Sequence, residues 1–198
     1  MTKAFTEEER IEIKEKIMET ALDLFRDKGT KSLNIKELTK RVGIAQGSFY
    51  SFWKDKESLI IDLIAYRSMQ KLNKIEKDFA NSLEDPINFL TDVIYKYSID
   101  LIAKAETQPV YKDAFKVLST RKKSDINKIE NLYGEFLYRL IEYWKSNNVV
   151  KKIDEKGLSN AFIGSFVLCS NFYHFDEEYF SKILKIYVLN VVNTYVEV

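Results

Sequence analysis

Almost nothing in this chain interrupts a helix. Only two prolines and six glycines are spread over 198 residues, of which 45% are hydrophobic and 31% charged. Such a sequence is rich in helix formers and poor in breakers. Its apolar residues also recur at helical spacing: Met18, Ala21, Leu22 and Phe25 stand at i, i+3, i+4 and i+7, one stripe facing a core. The fold class expected is therefore all-α.

Caps and breakers divide this helical chain into segments. Thr6 with Glu9 makes a capping-box start for a helix over 7–28, and Gly29 supplies its stop. Asn34, with Glu37 three residues on, opens a short helix that buries Ile35, Leu38 and Val42 before Gly43 ends it. A third segment, Gln46 to Trp53, follows at once, anchored by Phe49, Phe52 and Trp53. Lys56 and Glu57 open a long helix, with Leu59, Ile60, Leu63 and Ile64 on its buried side, running to Asn81. Further helices are expected over 86–106, 109–121, 124–146, 156–174 and 177–196, the first two with Pro86 and Pro109 in their first turns, and Asn147 to Glu155 is the clearest loop.

Several chemistries lack the residues they need. A single cysteine, Cys169, allows no internal disulfide, and a single histidine, His174, allows neither a Cys/His metal cluster nor the paired Glu-x-x-His of a di-iron bundle. Their spacing of five sets them on different helix faces, which argues against a nucleophile pair. Gly43 and Gly47 form a GxxxG that turn geometry explains, and no phosphate-binding glycine loop is present. The most apolar stretch, Phe162 to Phe172, is interrupted by Gly164, Ser165, Ser170 and Asn171, so no membrane span is expected. The expectation is a cytoplasmic protein without cofactor, metal or catalytic activity.

Charge is unevenly distributed although the net value is only +1. Lys28 to Lys56 holds seven basic side chains against two acidic ones, whereas Asp78 to Val198 holds 15 against 17. This is the electrostatic footprint expected for phosphate binding. Within the basic segment a two-turn helix, a glycine and a second short helix form a helix-turn-helix layout. Gln46, Gly47, Tyr50, Ser51 and Lys54 share one face of the second helix and offer amide, hydroxyl and ammonium groups with little bulk, as base reading in a groove requires.

The run from Ile35 to Leu59, with its Gly47-Ser48-Phe49-Tyr50 core, Trp53 and the Lys56-Glu57-x-Leu59 continuation, resembles the DNA-binding signature of the tetracycline-repressor (TetR) family. The likeness is sharp from Ile17 to Leu63 and elsewhere extends to length and helical layout. It implies an N-terminal three-helix DNA-binding domain over 1–56, joined by a long helix to a helical ligand-binding and dimerisation domain over 57–198. Gln46, Gly47 and Tyr50 match positions that touch bases or phosphates, Lys36 a position at the groove edge and Lys56 a phosphate contact; Ser48, Ser51 and Lys54 complete the expected DNA surface. Two residues depart from the pattern: Ala45 stands where the family often has Ser, and Phe52 where it often has His or Tyr.

The same resemblance implies a small-molecule site in the helical body and a two-fold dimer built from the last two helices. The effector is expected to be small and largely apolar, held near Tyr95, Tyr111, Phe115, Tyr133, Phe136 and Phe166. The dimer interface is expected at Phe162, Ser165, Phe166, Cys169, Ile183, Ile186, Tyr187, Asn190, Val191 and Thr194. The function implied is that of an effector-responsive regulator, a repressor on a palindromic operator in double-stranded DNA. The competing reading is a helical ligand- or partner-binding protein that has lost DNA binding.

Overall fold

Nine α-helices and one two-residue antiparallel strand pair make up the described part of the chain, residues 5–28, 33–120 and 123–198 of the computed structural model. The helices are α1 (Glu7–Lys28), α2 (Ile35–Val42), α3 (Gln46–Phe49), α4 (Lys56–Glu76), α5 (Pro86–Thr107), α6 (Pro109–Thr120), α7 (Lys123–Ser146), α8 (Glu155–Ser170) and α9 (Glu177–Tyr195). The strands β1 (Lys152–Ile153) and β2 (Val196–Glu197) pair Lys152 with Glu197 and Ile153 with Val196. None of the described helices is long and apolar enough to cross a membrane. The chain divides into two units, Met1–Ile64 with Ala105–Thr120, and Ala65–Lys104 with Arg121–Val198.

The first unit is built by local capping. Thr6 and Glu9 close a reciprocal box at the start of α1: the Thr6 N–H donates to Glu9 Oε2 at 2.8 Å, and the Glu9 N–H donates to Thr6 Oγ1 at 3.2 Å. The expected stop at Gly29 lies outside the described residues. Asn34 Oδ1 accepts from the N–H groups of Lys36 and Glu37 at 2.9 and 3.4 Å, while the Glu37 carboxylate pairs forward with Arg41 at 2.6 Å, so this cap works from one side only. Gly43 ends α2 at φ 86, a left-handed conformation that glycine adopts without a Cβ clash. Ile17, Ala21, Phe25, Leu38, Phe49 and Leu59 are all fully buried and form the core of this unit. Helix α6 belongs here too, packed on α1 with Val110 and Ala114 buried.

In the second unit the fully buried Trp144 and Phe136 on α7 anchor a core with Leu90 of α5, Leu158 and Cys169 of α8, and Leu184 and Val192 of α9. Helix α4 stops at Glu76, short of the expected Asn81. Bonds from Lys77 and Asp78 back to Lys74 and Ile75 tighten its end, and a 3₁₀ turn over Phe79–Leu83 follows. That turn is fixed by Ser82, whose hydroxyl donates to the Phe79 carbonyl at 2.6 Å and accepts the Trp144 indole N–H at 2.7 Å. Helix α8 likewise ends at Ser170, with Phe172–His174 forming a 3₁₀ turn rather than continuing it. Asp85 caps α5 ahead of Pro86, and Asp154 caps α8 by accepting from the Gly157 N–H at 2.8 Å.

Helices α8 and α9 approach closely where α8 carries glycine. A Cβ at Gly157 would come within 2.3 Å of the Tyr195 ring, and one at Gly164 within 2.1 Å of the Tyr187 hydroxyl. Residues 157 and 164 stand seven apart on α8, and 195 and 187 eight apart on the antiparallel α9, so the two tyrosines key into successive gaps. Burial, reinforced by Tyr195 nearby, pushes the Tyr187 phenol above its ordinary value.

Candidate nucleic-acid interface

The helix that follows Gly43 is shorter than its sequence suggests. Helix α3 covers only Gln46–Phe49, and the chain then tightens into successive i→i+3 turns, with Tyr50, Ser51 and Phe52 bonding back to Gly47, Ser48 and Phe49. Ala45 precedes it in extended conformation, φ −66 and ψ 145, and offers no side-chain cap. A single turn has little intrinsic stability in water. Its position comes instead from anchors: Phe49 is fully buried, and Trp53 is 4% exposed and packs 5.6 Å from it.

The opposite face is open. Gln46, Gly47, Tyr50, Ser51 and Lys54 are all exposed, Tyr50 at 54%. Tyr50 sets its ring edge-on to Phe49 at 5.4 Å, so the buried anchor orients the exposed phenol. Ser48 is half-buried, and the Ser51 hydroxyl turns back to the Ser48 carbonyl at 2.7 Å, so this hydroxyl is partly committed within the segment itself. Lys36 is exposed in the first turn of α2.

Lys56 lies at the first position of α4, where Asp55 caps the helix by accepting from the Ser58 N–H and hydroxyl, both at 2.7 Å. A cation at a helix N-terminus opposes the macrodipole and costs about 0.3–1 kcal/mol, but the same place binds a phosphate through dipole, N–H groups and ammonium together. Phe52, which lacks the hydroxyl or imidazole often found at this position, carries a cation in another way: the Arg10 guanidinium of α1 sits over its ring at 4.9 Å, with Nη2 donating to the Ser51 carbonyl at 3.3 Å. Sequence reading missed Arg10 because it lies 41 residues from Ser51.

The aromatic residues expected to line an effector site are divided. Tyr111 and Phe115 belong to the first unit, and Tyr95, Tyr133, Phe136 and Phe166 to the second. Phe136 is fully buried and packs against Phe79 at 5.7 Å as part of the core. Tyr95 lies under the Lys185 ammonium at 5.7 Å. Tyr133 joins a hydroxyl cluster that sequence reading did not assemble: its phenol donates to the Tyr97 hydroxyl at 2.5 Å and approaches Ser68 Oγ at 3.4 Å, and Ser68 and Tyr97 are 2.6 Å apart. Phe162 stacks on the Tyr133 ring at 6.1 Å. Burial holds the Tyr133 phenol well above its ordinary value.

Of the residues expected at a dimer interface, Ser165 and Cys169 are turned into the chain's own core at 4% and 0% exposure. Burial raises the Cys169 thiol to about 11, a hydrogen bond with Ser98 opposing this only in part, and His174 stands exposed beside Tyr173. Phe162, Phe166, Tyr187 and Val191 are half-buried, and Ile183, Ile186, Asn190 and Thr194 are exposed. Ile163, Val167 and Leu189, not singled out from sequence, extend the exposed apolar surface.

The N-terminal segment and the fold both have counterparts among known proteins. Residues 17–63 match the model of the bacterial regulatory proteins of the tetR family. An uncharacterised HTH-type transcriptional regulator of Bacillus subtilis, YerO, is 39% identical over 72 residues, 35% of this chain and 25% of its own length, so the shared segment spans about a quarter of that relative. A TetR transcriptional regulator from Rhodococcus sp. RHA1 has the same fold, with TM-score 0.67, 14% identity, and coverage of 94% of this chain and 97% of that one. Thermus thermophilus FadR, a TetR-family transcriptional repressor in complex with lauroyl-CoA, also superposes with TM-score 0.67, at 14% identity over 91% of this chain and 93% of its own. Residues 17–63 thus carry the N-terminal segment of the tetR family of bacterial regulatory proteins, and the helical architecture of the chain is that of solved TetR-type regulators.

Proposed function

We propose that this protein is a homodimeric repressor, acting in the cytoplasm, that reads a palindromic DNA operator with α3 and releases it when a small molecule binds its helical body. The observation that carries the reading is the exposed Gln46–Gly47–Tyr50 face on a buried Phe49–Trp53 anchor, next to Lys56 at the N-terminus of α4. Gln46 can give a bidentate amide to adenine, Gly47 lets the backbone approach the bases, Tyr50 can contact a thymine methyl or a phosphate, and Lys36 and Lys56 meet phosphates. One short helix makes few base contacts, so affinity calls for two copies on paired half-sites.

The exposed apolar side chains of α8 and α9, Ile163, Val167, Ile183, Ile186 and Leu189, support a second copy of this chain as the partner. A small, largely apolar effector is supported by the Tyr133, Tyr97 and Ser68 hydroxyl cluster beside the stacked Phe162 ring. The lauroyl-CoA complex of Thermus thermophilus FadR supports a helical body of this fold as a small-molecule receptor. For release, the effector must favour one arrangement of the DNA-reading heads over another.

The test is selection of bound duplexes from random-sequence DNA, followed by a shift assay. The expected outcome is a two-fold-symmetric consensus bound in a salt-sensitive manner. Binding without sequence preference would sink the proposal and favour a body that has lost DNA reading.

A further inference from the structure

Helix α3 has four residues, no side-chain N-cap and no second turn, so nothing in its own backbone fixes the angle at which Gln46, Gly47 and Tyr50 face outward. The segment that follows it is gripped from two sides. From α1, one helical turn apart, Arg10 holds the Ser51 carbonyl and the Phe52 ring, and the Lys14 ammonium lies 5.8 Å from the centre of the Trp53 ring. From α4, Asp62 reaches back: its Oδ2 accepts the Trp53 indole N–H at 3.1 Å and pairs with Lys14 Nζ at 3.2 Å. The Asp62 side chain is only 15% exposed and Trp53 is 4% exposed, so the contact between them is largely shielded from water, while the Lys14 side chain, 38% exposed, closes it at the surface.

We propose that Asp62 is a positioning residue for DNA recognition. By accepting the Trp53 indole N–H it ties the end of the recognition segment to α4, and the Lys14 pair ties both to α1. An indole N–H this buried, deprived of its acceptor, must find water or another partner, and Trp53 is coupled to α3 through its ring packing on Phe49 and its backbone N–H bonding to the Phe49 carbonyl at 3.1 Å. Asp62 is also a negative charge beside a basic segment, so for affinity to any DNA it is a disadvantage. A group that lowers general affinity and orients the reading face acts through specificity. This inference rests on α3 being the DNA-reading element.

Two substitutions separate orientation from charge. Asp62→Asn and Asp62→Ala remove the same charge, but only the first leaves an acceptor for the indole. Affinity is measured for a duplex selected by the wild-type protein and for an unrelated duplex of equal length, with thermal melts to establish the folded fraction. In Asp62→Ala the ratio of selected to unrelated affinity should fall about tenfold while affinity for the unrelated duplex holds or rises. In Asp62→Asn the ratio should stay within about twofold of wild type. Equal ratios in all three proteins, or an Asp62→Ala loss shared equally by both duplexes, would overturn the role. If Asp62→Ala does not fold, Trp53→Phe takes its place: it removes the donor, and an unchanged ratio overturns the proposal while a reduced one upholds it. A wild-type protein that selects no duplex defeats DNA reading itself, an outcome distinct from a selective wild type whose variants keep their ratio.

Discussion

At Ala45 the backbone is already in the extended conformation of an N-cap, with φ −66 and ψ 145, and lacks only the side-chain acceptor. Ala45→Ser should therefore stabilise the protein by up to about 1 kcal/mol, read as a rise in melting temperature. On the proposed DNA surface beyond it, Tyr50 and Lys56 are assigned separable duties. Tyr50→Ala should weaken binding to a selected operator more than to unrelated DNA, whereas Lys56→Ala should weaken both and reduce the slope of log affinity against log salt by about one. Equal effects of the two changes in a salt titration would contradict those duties. The residues of this face were legible in the sequence because they share one short stretch. Arg10, Lys14 and Asp62 were not, since each acts on a segment up to 41 residues away, and spacing along the chain carries no record of that approach. The same holds for Ser68, Tyr97 and Tyr133, which come from three helices.

Helix boundaries were legible wherever a cap is chemical and local, as at the Thr6–Glu9 and Asn34 starts and the Gly43 stop. Helix ends without such a local signal were less so. The apolar period of α4 runs on through Phe79, yet the Trp144 indole bonding to Ser82 holds those residues in a 3₁₀ turn, a tertiary contact that outweighs propensity. The glycines of α8 show the reverse case, in which a poor helix former is retained for close approach. Gly157→Ala would set a Cβ against the Tyr195 ring and 2.8 Å from the Asp154 carboxylate that caps the same helix, and should cost about 1–3 kcal/mol in denaturant unfolding. Helices α4 and α5 are joined by Lys71 and Asp100, with Lys104 on the same carboxylate, at 2.7 and 2.8 Å. Burial raises the Asp100 carboxyl, but the bonds from Lys104 and Lys71 outweigh it and hold the group below its ordinary value. A carboxyl depressed in the folded state stabilises above its unfolded value and loses that contribution as pH falls through the folded one. The melting-temperature gap between the protein and Asp100→Asn should thus be present at neutral pH and close below about pH 4.

For the whole molecule, the proposed dimer makes the sharpest demand. Ile186 is 61% exposed on α9 and Ile183 42%. Ile186→Glu would place a charge where two copies are proposed to meet; sedimentation should show a monomer, and affinity for a palindromic operator should fall with it. An unchanged dimer would move the interface elsewhere. The division of the chain into two units, with α6 grouped with the N-terminal residues, could not be seen from helix spacing alone, because Val110 and Ala114 read as an ordinary apolar stripe whichever core they enter. The enclosed thiol of Cys169, the chain's single cysteine, has a practical bearing on the switch. Kept protonated at neutral pH and away from solvent, it will react slowly with maleimides or methanethiosulfonates. A cysteine placed at exposed Lys36 would then take a spin label or fluorophore almost alone, and two such labels in one dimer would form a molecular ruler between the reading heads. The native protein thus comes close to a ready-made background for testing whether head separation changes as the proposed effector release requires.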